Sequence, residues 1–192
     1  LQKIAAYHRN NYNVPTIGVT GSNGKTIVKE WLYQILSPEM SVARSPKSYN
    51  SQIGVPLSVW QLNDSHRLAI FEAGISRPNE MQKLKDIIQP TIGIFTNIGQ
   101  AHGKNFDDIN HKIEEKLKLF ADVDILIYCS DYKELYHHIK KLNINTFCWS
   151  KKDKESDIQI YSIEKNENST TIKAYINSQK PTTNSITIPF TD

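Results

Sequence analysis

The chain has 192 residues, 39% of them apolar and 22% charged, with a formal net charge of +3. That length and balance suit one globular core and exclude both a disordered chain and a membrane-embedded one, since no apolar run approaches a bilayer span. The charges are scattered, so no basic footprint for nucleic acid exists, and the Lys-Lys-Asp-Lys run at 151–154 reads as a solvated loop. Cys129 and Cys148 each sit inside an apolar run without metal-ligand spacing, which predicts small core residues in a reducing, cytoplasmic setting.

In chain order, residues 1–11 read as a short helix, with 1–13 a linker from a preceding domain. An apolar run at 14–19 then leads into a predicted strand at 16–20, and the helical period resumes at 25–36, with Ile27, Val28, Trp31, Leu32, Ile35 and Leu36 taken together as its apolar face. Apolar β-type runs at 41–43, 68–72, 92–98, 125–129 and 146–149 alternate with helical patterns at 53–62, 79–88, 109–120 and 131–142. Such alternation predicts an α/β fold, a mostly parallel sheet flanked by helices on both faces. After Ser150 the character changes to period-two alternation at 157–163, 170–177 and 185–189. These predict a small antiparallel β extension at the C-terminal end. The sequence opens mid-helix without Met and stops just after a strand, so it reads as one domain, 14–192, of a longer protein.

Between the first strand and the helix stands Thr-Gly-Ser-Asn-Gly-Lys-Thr, residues 20–26. Strand, Gly-rich turn and helix form the context of a phosphate-binding loop. Gly21 and Gly24 reach backbone angles closed to other residues, which lets the amides of Gly21, Ser22, Asn23 and Gly24 turn toward one anion. The helix N-terminus adds partial positive charge, Lys25 reaches the terminal phosphates, and the Thr26 hydroxyl is a hard ligand for Mg²⁺. The longer pattern G-x-x-x-x-G-K-[ST] fails, because Val19 occupies its first glycine. An ordinary Gly-Asn turn leaves the Lys-Thr pair unexplained.

Two more groups share the carboxyl edge of the predicted sheet, where open α/β folds bind ligands. Glu72 ends the strand Leu-Ala-Ile-Phe-Glu, and His102 follows the next one. Alone, Glu72 would read as a strand-end surface carboxylate and His102 as a solvated histidine, a reading that accounts better for His66, His111, His137 and His138. Beside a polyanion that needs divalent cations, both become candidate metal ligands. Lys116 is odd for another reason. Ile109, Ile113 and Phe120 make an apolar stripe on the 109–120 helix, and Lys116 falls in the middle of it. The stem either snorkels to water or the charge is removed; a neutral amine can add CO₂ and become an anionic carbamate.

The loop, then Asn50-Ser-Gln-Ile-Gly-Val-Pro-Leu57, Glu72-Ala-Gly, Thr96-Asn-Ile-Gly-Gln-Ala-His102 and Glu115-Lys-Leu-Lys-Leu-Phe120 together resemble the central ATP-binding domain of the Mur ligases. The resemblance runs over essentially the whole chain. Within the family it points to the branch that adds D-alanyl-D-alanine to UDP-N-acetylmuramoyl-tripeptide, in some forms fused to an alanine racemase. It implies ATP and Mg²⁺ as cofactors and amide-bond formation through an acyl phosphate. It also implies that Lys25 binds the β- and γ-phosphates and that Thr26 and Glu72 hold one Mg²⁺. His102 and a carbamoylated Lys116 would hold a second, and Asn50 with Ser51 would lie near the nucleotide–peptide substrate. N- and C-terminal domains of the same full-length chain would complete the enzyme. Two positions depart from the family: Ile27 where many relatives have Thr, and Gly103-Lys-Asn-Phe where an acidic residue is common. Rival readings are another ligase of the superfamily, such as a folate polyglutamate ligase or the one adding the third peptide residue, and a non-catalytic nucleotide-binding module.

Overall fold

The computed structural model describes residues 1–99, 106, 108–177 and 182–189. Helix α1 (Gln2–Arg9) leads into β1 (Thr16–Thr20), α2 (Lys25–Leu36), β2 (Val42–Arg44), α3 (Gly54–Val59) and β3 (Leu68–Glu72). Then follow α4 (Met81–Ile88), β4 (Ile92–Phe95), α5 (Ile109–Leu117) with a 3₁₀ turn at Lys118–Phe120, β5 (Ile125–Cys129), α6 (Lys133–Ile139) and β6 (Thr146–Ser150). Strands β7 (Ile158–Lys165), β8 (Thr170–Ile176) and β9 (Thr182–Ile188) complete it.

All of these strands join one sheet, in the order β2-β3-β1-β4-β5-β6-β7-β8-β9. Neighbours from β2 through β7 are parallel, and β7, β8 and β9 pair antiparallel. The antiparallel extension therefore continues the main sheet, with β7 docking parallel to β6. Residues of β1 and β3 are buried throughout, which is why both read as near-continuous apolar runs rather than alternating ones.

The two faces are covered unequally. Ile17, Val19, Leu68 and Ile70 point to α2 and meet Val28, Leu32 and Leu36. The opposite face carries the larger core, built from α1, α3, α4, α5 and α6 around Phe71, Phe95, Phe120 and Leu126. Helices on both faces were expected from the alternation, and both faces have them. The apolar face predicted for α2 splits, however. Val28, Leu32 and Leu36 pack on the sheet, whereas Ile27, Trp31 and Ile35 are 55%, 42% and 69% exposed. One helix against one sheet buries a single stripe about 100° wide, and the second set lies one residue, hence 100°, around the helix from the first.

Other predicted boundaries shift for local reasons. β4 stops at Phe95 rather than residue 98, because Thr96 and Asn97 turn inward to bond the Ser22–Asn23 backbone. The helix predicted over 109–120 ends at Leu117, and the 3₁₀ turn delivers Leu119 and Phe120 to the core. Helices α3, α4 and α6 are each shorter than the periodic pattern that predicted them. Arg9 fastens α1 to the sheet: its buried guanidinium donates to the Ile88 carbonyl at 3.0 Å and the Thr16 hydroxyl at 2.8 Å. Among the described residues no helix is long and apolar enough to cross a membrane.

Candidate nucleotide and cation site

The loop after β1 leads to a helix on one face of the sheet, while those after β3 and β4 lead to helices on the other. Their divergence opens a crevice at the carboxyl edge of the strands, where α/β sheets take ligands. A cleft of about 570 Å³ lies there, with Lys25, Asn50, Ser51, Lys112 and Lys116 in its wall.

The loop owes its shape to two glycines. Gly21 has φ +146° and Gly24, at the N-cap of α2, has φ +76°. A Cβ on Gly21 would stand 2.0 Å from the Thr96 hydroxyl and 3.0 Å from the Asn97 backbone, so the strand end and the loop touch only because Gly21 has no side chain. Thr96, Asn97 and Gly99 then brace the loop. The Ser22 amide donates to the Asn97 carbonyl at 2.9 Å, and the Asn23 amide to Asn97 Oδ1 at 3.0 Å. Thr96 Oγ1 donates to the Asn23 carbonyl at 2.6 Å, and the Gly99 amide to Ser22 Oγ at 2.9 Å. The first amides of α2 lack intrahelical acceptors and face the same opening, which makes them anion donors.

Two lysines converge on one carbonyl. Lys25 Nζ donates to Gly21 O at 3.0 Å and Ser22 O at 3.2 Å, and Lys116 Nζ reaches Gly21 O from α5, also at 3.0 Å. Lys116 is buried, as its place in the stripe predicted. Burial first, and then the positive charges of Lys25 and Lys112, bring its pKa down to about 7. Burial also lowers Lys25; Glu72 opposes this and Lys112 adds to it. Lys112, one turn before Lys116 on α5, escaped the sequence reading because nothing in its spacing distinguishes it from a surface lysine.

Glu72, buried at the end of β3, receives a donor on each oxygen. Thr26 Oγ1 donates to Oε2 at 2.8 Å and Asn50 Nδ2 donates to Oε1 at 2.5 Å. Thus Thr26, Glu72 and Asn50, separated in sequence by up to 46 positions, form one cluster beside the loop. Ser51 lines the same cleft, and its Oγ accepts the Gly54 amide at 3.1 Å. His102 lies outside the described residues.

The donor set suits a hard cation. A hydroxyl and a carboxylate oxygen 2.8 Å apart are the kind of ligands Mg²⁺ takes from protein, with phosphates and water filling the remainder. Among the described residues no group of three or more His, Cys, Asp or Glu could hold a metal ion.

Behind this cluster is a residue that the sequence reading passed over. Lys29, on α2 one turn beyond Thr26, has no exposed surface. Its position three and seven residues before Leu32 and Leu36 puts it on the buried stripe, the same oddity that singled out Lys116. Burial lowers its pKa, Glu72 works against that, and Arg44 adds to it.

A sequence-family model described as the Mur ligase middle domain matches residues 19–191. The UDP-N-acetylmuramoyl-tripeptide–D-alanyl-D-alanine ligase of Borreliella burgdorferi is 33% identical over 165 residues, covering 77% of this chain and 36% of that protein. The ligase of the same name from Bacillus subtilis is 31% identical over 134 residues, 68% of this chain and 29% of that one. Among solved structures, the MurF ligase of Thermotoga maritima in complex with ADP superposes with a TM-score of 0.83 at 26% identity, over 96% of this chain and 43% of that one. The chain thus spans well under half the length of each of these relatives. The match extends from the first strand almost to the last residue, over the same sheet and loop, and the chain belongs to the Mur ligase family.

Proposed function

We propose that residues 14–192 are the ATP-binding middle domain, and 1–13 the linker helix, of a cytoplasmic enzyme that adds D-alanyl-D-alanine to UDP-N-acetylmuramoyl-tripeptide. The relatives' names and the ADP complex of one of them support this reading. The observation that carries it is the Glu72 carboxylate, held between the Thr26 hydroxyl and the Asn50 amide directly beside the phosphate loop.

In the reaction so proposed, the tripeptide's terminal carboxylate attacks the γ-phosphorus of ATP, releasing ADP and leaving an acyl phosphate. The dipeptide amine attacks the acyl carbon, and the tetrahedral adduct expels phosphate. The chain's contribution is placement and charge. Lys25 moves from the Gly21 and Ser22 carbonyls onto the β- and γ-phosphates, and the N-terminus of α2 holds the α/β end. Thr26 and Glu72 bind one Mg²⁺, while Asn50 and Ser51 face the substrate. Lys116, as its carbamate, and His102 bind a second. Bound Mg²⁺ neutralises charge on the transferring phosphoryl oxygens. The uridine nucleotide and the incoming dipeptide are held by N- and C-terminal domains of the same chain.

Lys25→Ala is the direct test. It removes the cation that the loop itself carries, and residues 17–28 contain no second Lys or Arg to substitute. In the enzyme at its natural length, phosphate release that requires both the tripeptide nucleotide and the dipeptide should drop by more than about 100-fold. Turnover at the unmodified rate would remove the phosphate-loop assignment.

A further inference from the structure

The α2 helix carries a fully buried lysine whose ammonium is bonded within the chain. Lys29 Nζ donates to the Ser45 carbonyl at 2.6 Å and to the Lys47 carbonyl, and pairs with Glu30 Oε1 at 3.0 Å. Glu30 is shared with Arg44, whose guanidinium lies 3.6 Å above the Tyr33 ring. Both carbonyls belong to the turn after β2, which passes through Lys47 in the left-handed region at φ +48°. Among the described residues no loop or turn amide donates to either carbonyl, so a side chain has to supply the donor. An aliphatic side chain would fill the same space under α2 but leave both acceptors bare.

This turn is also the mount of the Glu72 cluster. Ser45 Oγ accepts the Glu72 amide at 3.2 Å, and the Ser45 amide donates to the Ile70 carbonyl at 3.1 Å. Five residues on, Asn50 donates its side chain to Glu72 Oε1, and its carbonyl accepts the Gly74 amide at 2.8 Å. Asn50 is packed so closely that a Cβ on Gly74 would lie 2.9 Å from its amide carbon. One helix therefore approaches Glu72 twice: directly through Thr26, and through Lys29 by way of the turn at 45–50.

We infer that Lys29 is a positioning residue for the cation-holding pair: it clamps the 45–50 turn to the phosphate-loop helix, and so fixes the distance and orientation of Glu72 and Asn50 relative to Thr26. This rests on the reading of Thr26 and Glu72 as cation ligands. Partners one shell behind a metal ligand set its orientation, and losing them weakens metal binding about 10- to 100-fold while the ligands themselves stay in place.

The test is Lys29→Met, which keeps the length of the stem and deletes the donors, made in the protein at its natural length. Free Mn²⁺ is followed by electron paramagnetic resonance during titration in saturating ADP, and ADP affinity is measured separately in EDTA. The clamp requires Mn²⁺ affinity to fall at least about tenfold while metal-free ADP affinity stays within about twofold. A variant with a lowered thermal midpoint but unchanged Mn²⁺ affinity makes Lys29 a packing residue only, and the inference fails while the proposed function stands. Wild-type protein that binds ADP without any Mn²⁺ removes the cation reading itself, and the clamp with it. If Lys29→Met does not fold, Lys29→Gln decides by the same criterion, since its shorter, uncharged amide cannot hold both the Ser45 and Lys47 carbonyls.

Discussion

Three lysines, Lys25, Lys29 and Lys116, show how differently one residue type behaves when its surroundings change. Lys25 rests on loop carbonyls that a phosphate can replace, Lys29 is spent on the turn at 45–47, and Lys116 is desolvated beside other cations. Lys116 carries a pH prediction. Only a neutral amine adds CO₂, forming the carbamate and releasing a proton. With its pKa brought to about 7, roughly half of Lys116 is neutral at that pH, whereas an ordinary lysine near 10.4 would be neutral in about one molecule in 2,500. The sign follows: at fixed dissolved CO₂, carbamate should grow as pH rises through about 7 and fade below about 6. Carbon-13 resonance of protein equilibrated with labelled CO₂ reads this out, and Lys116→Ala should lack the signal. A signal that persists in the variant, or none at any pH, would count against the modification. The stripe through Ile109, Ile113 and Phe120 made Lys116 legible in the sequence. Lys29 carried the same signature, but its neighbours Ile27 and Trp31 suggested a wider apolar face that hid it.

At the scale of elements, α2 is the part that sequence periodicity described least well. Its positions 27, 28, 31, 32, 35 and 36 are all apolar, and periodicity alone cannot divide two adjacent stripes. Contact with β1, β3 and β4 divides them. Leu32→Ala should therefore lower unfolding free energy by about 2 kcal/mol, as loss of a partly buried leucine does. Ile35→Lys, at 69% exposure, should change it by less than about 0.5 kcal/mol. Urea denaturation of both variants checks this, and equal effects would mean that α2 is rotated from the arrangement described. The end of β4 shows the opposite kind of miss. The β-type run reads as strand to residue 98, but beyond the Thr96 amide, which still donates to the Thr20 carbonyl, Thr96 and Asn97 brace the loop instead. A contact made to residues more than 70 positions away leaves no periodic trace.

For the whole molecule, β1, paired on both sides within the sheet, and the divergent connections around it place the described site residues on one edge of the sheet. The parallel strands and their helices share two cores, and the antiparallel strands continue the same sheet, so a protein made of these 192 residues alone should unfold in one cooperative transition. It should not ligate, and Mg²⁺–ATP should bind it more weakly than about 1 μM. On the proposed function it presents a phosphate-and-cation half-site, without the domain closure that completes such sites and excludes water. Isothermal calorimetry with Mg²⁺–ATP measures the affinity. Sub-micromolar binding, or ligation at the rate of the natural-length enzyme, would show the half-site to be sufficient.

The sequence by itself determined the α/β class, the order of strands and helices, the Gly-rich turn before α2 and the core-facing position of Lys116. Each of these rests on local chemistry or short periods: glycine's backbone freedom, the 3.6-residue and two-residue repeats, and one lysine out of place in an apolar stripe. Only the tertiary structure decided which stripe of α2 meets the sheet. It alone joined Thr26, Asn50 and Glu72 through two hydrogen bonds, and turned Lys29 from a helix lysine into the fastening behind them. The reason is physical. Burial and hydrogen-bond partnership are set by what packs against a residue, and for these residues the partners lie 16 to 46 positions away in the chain.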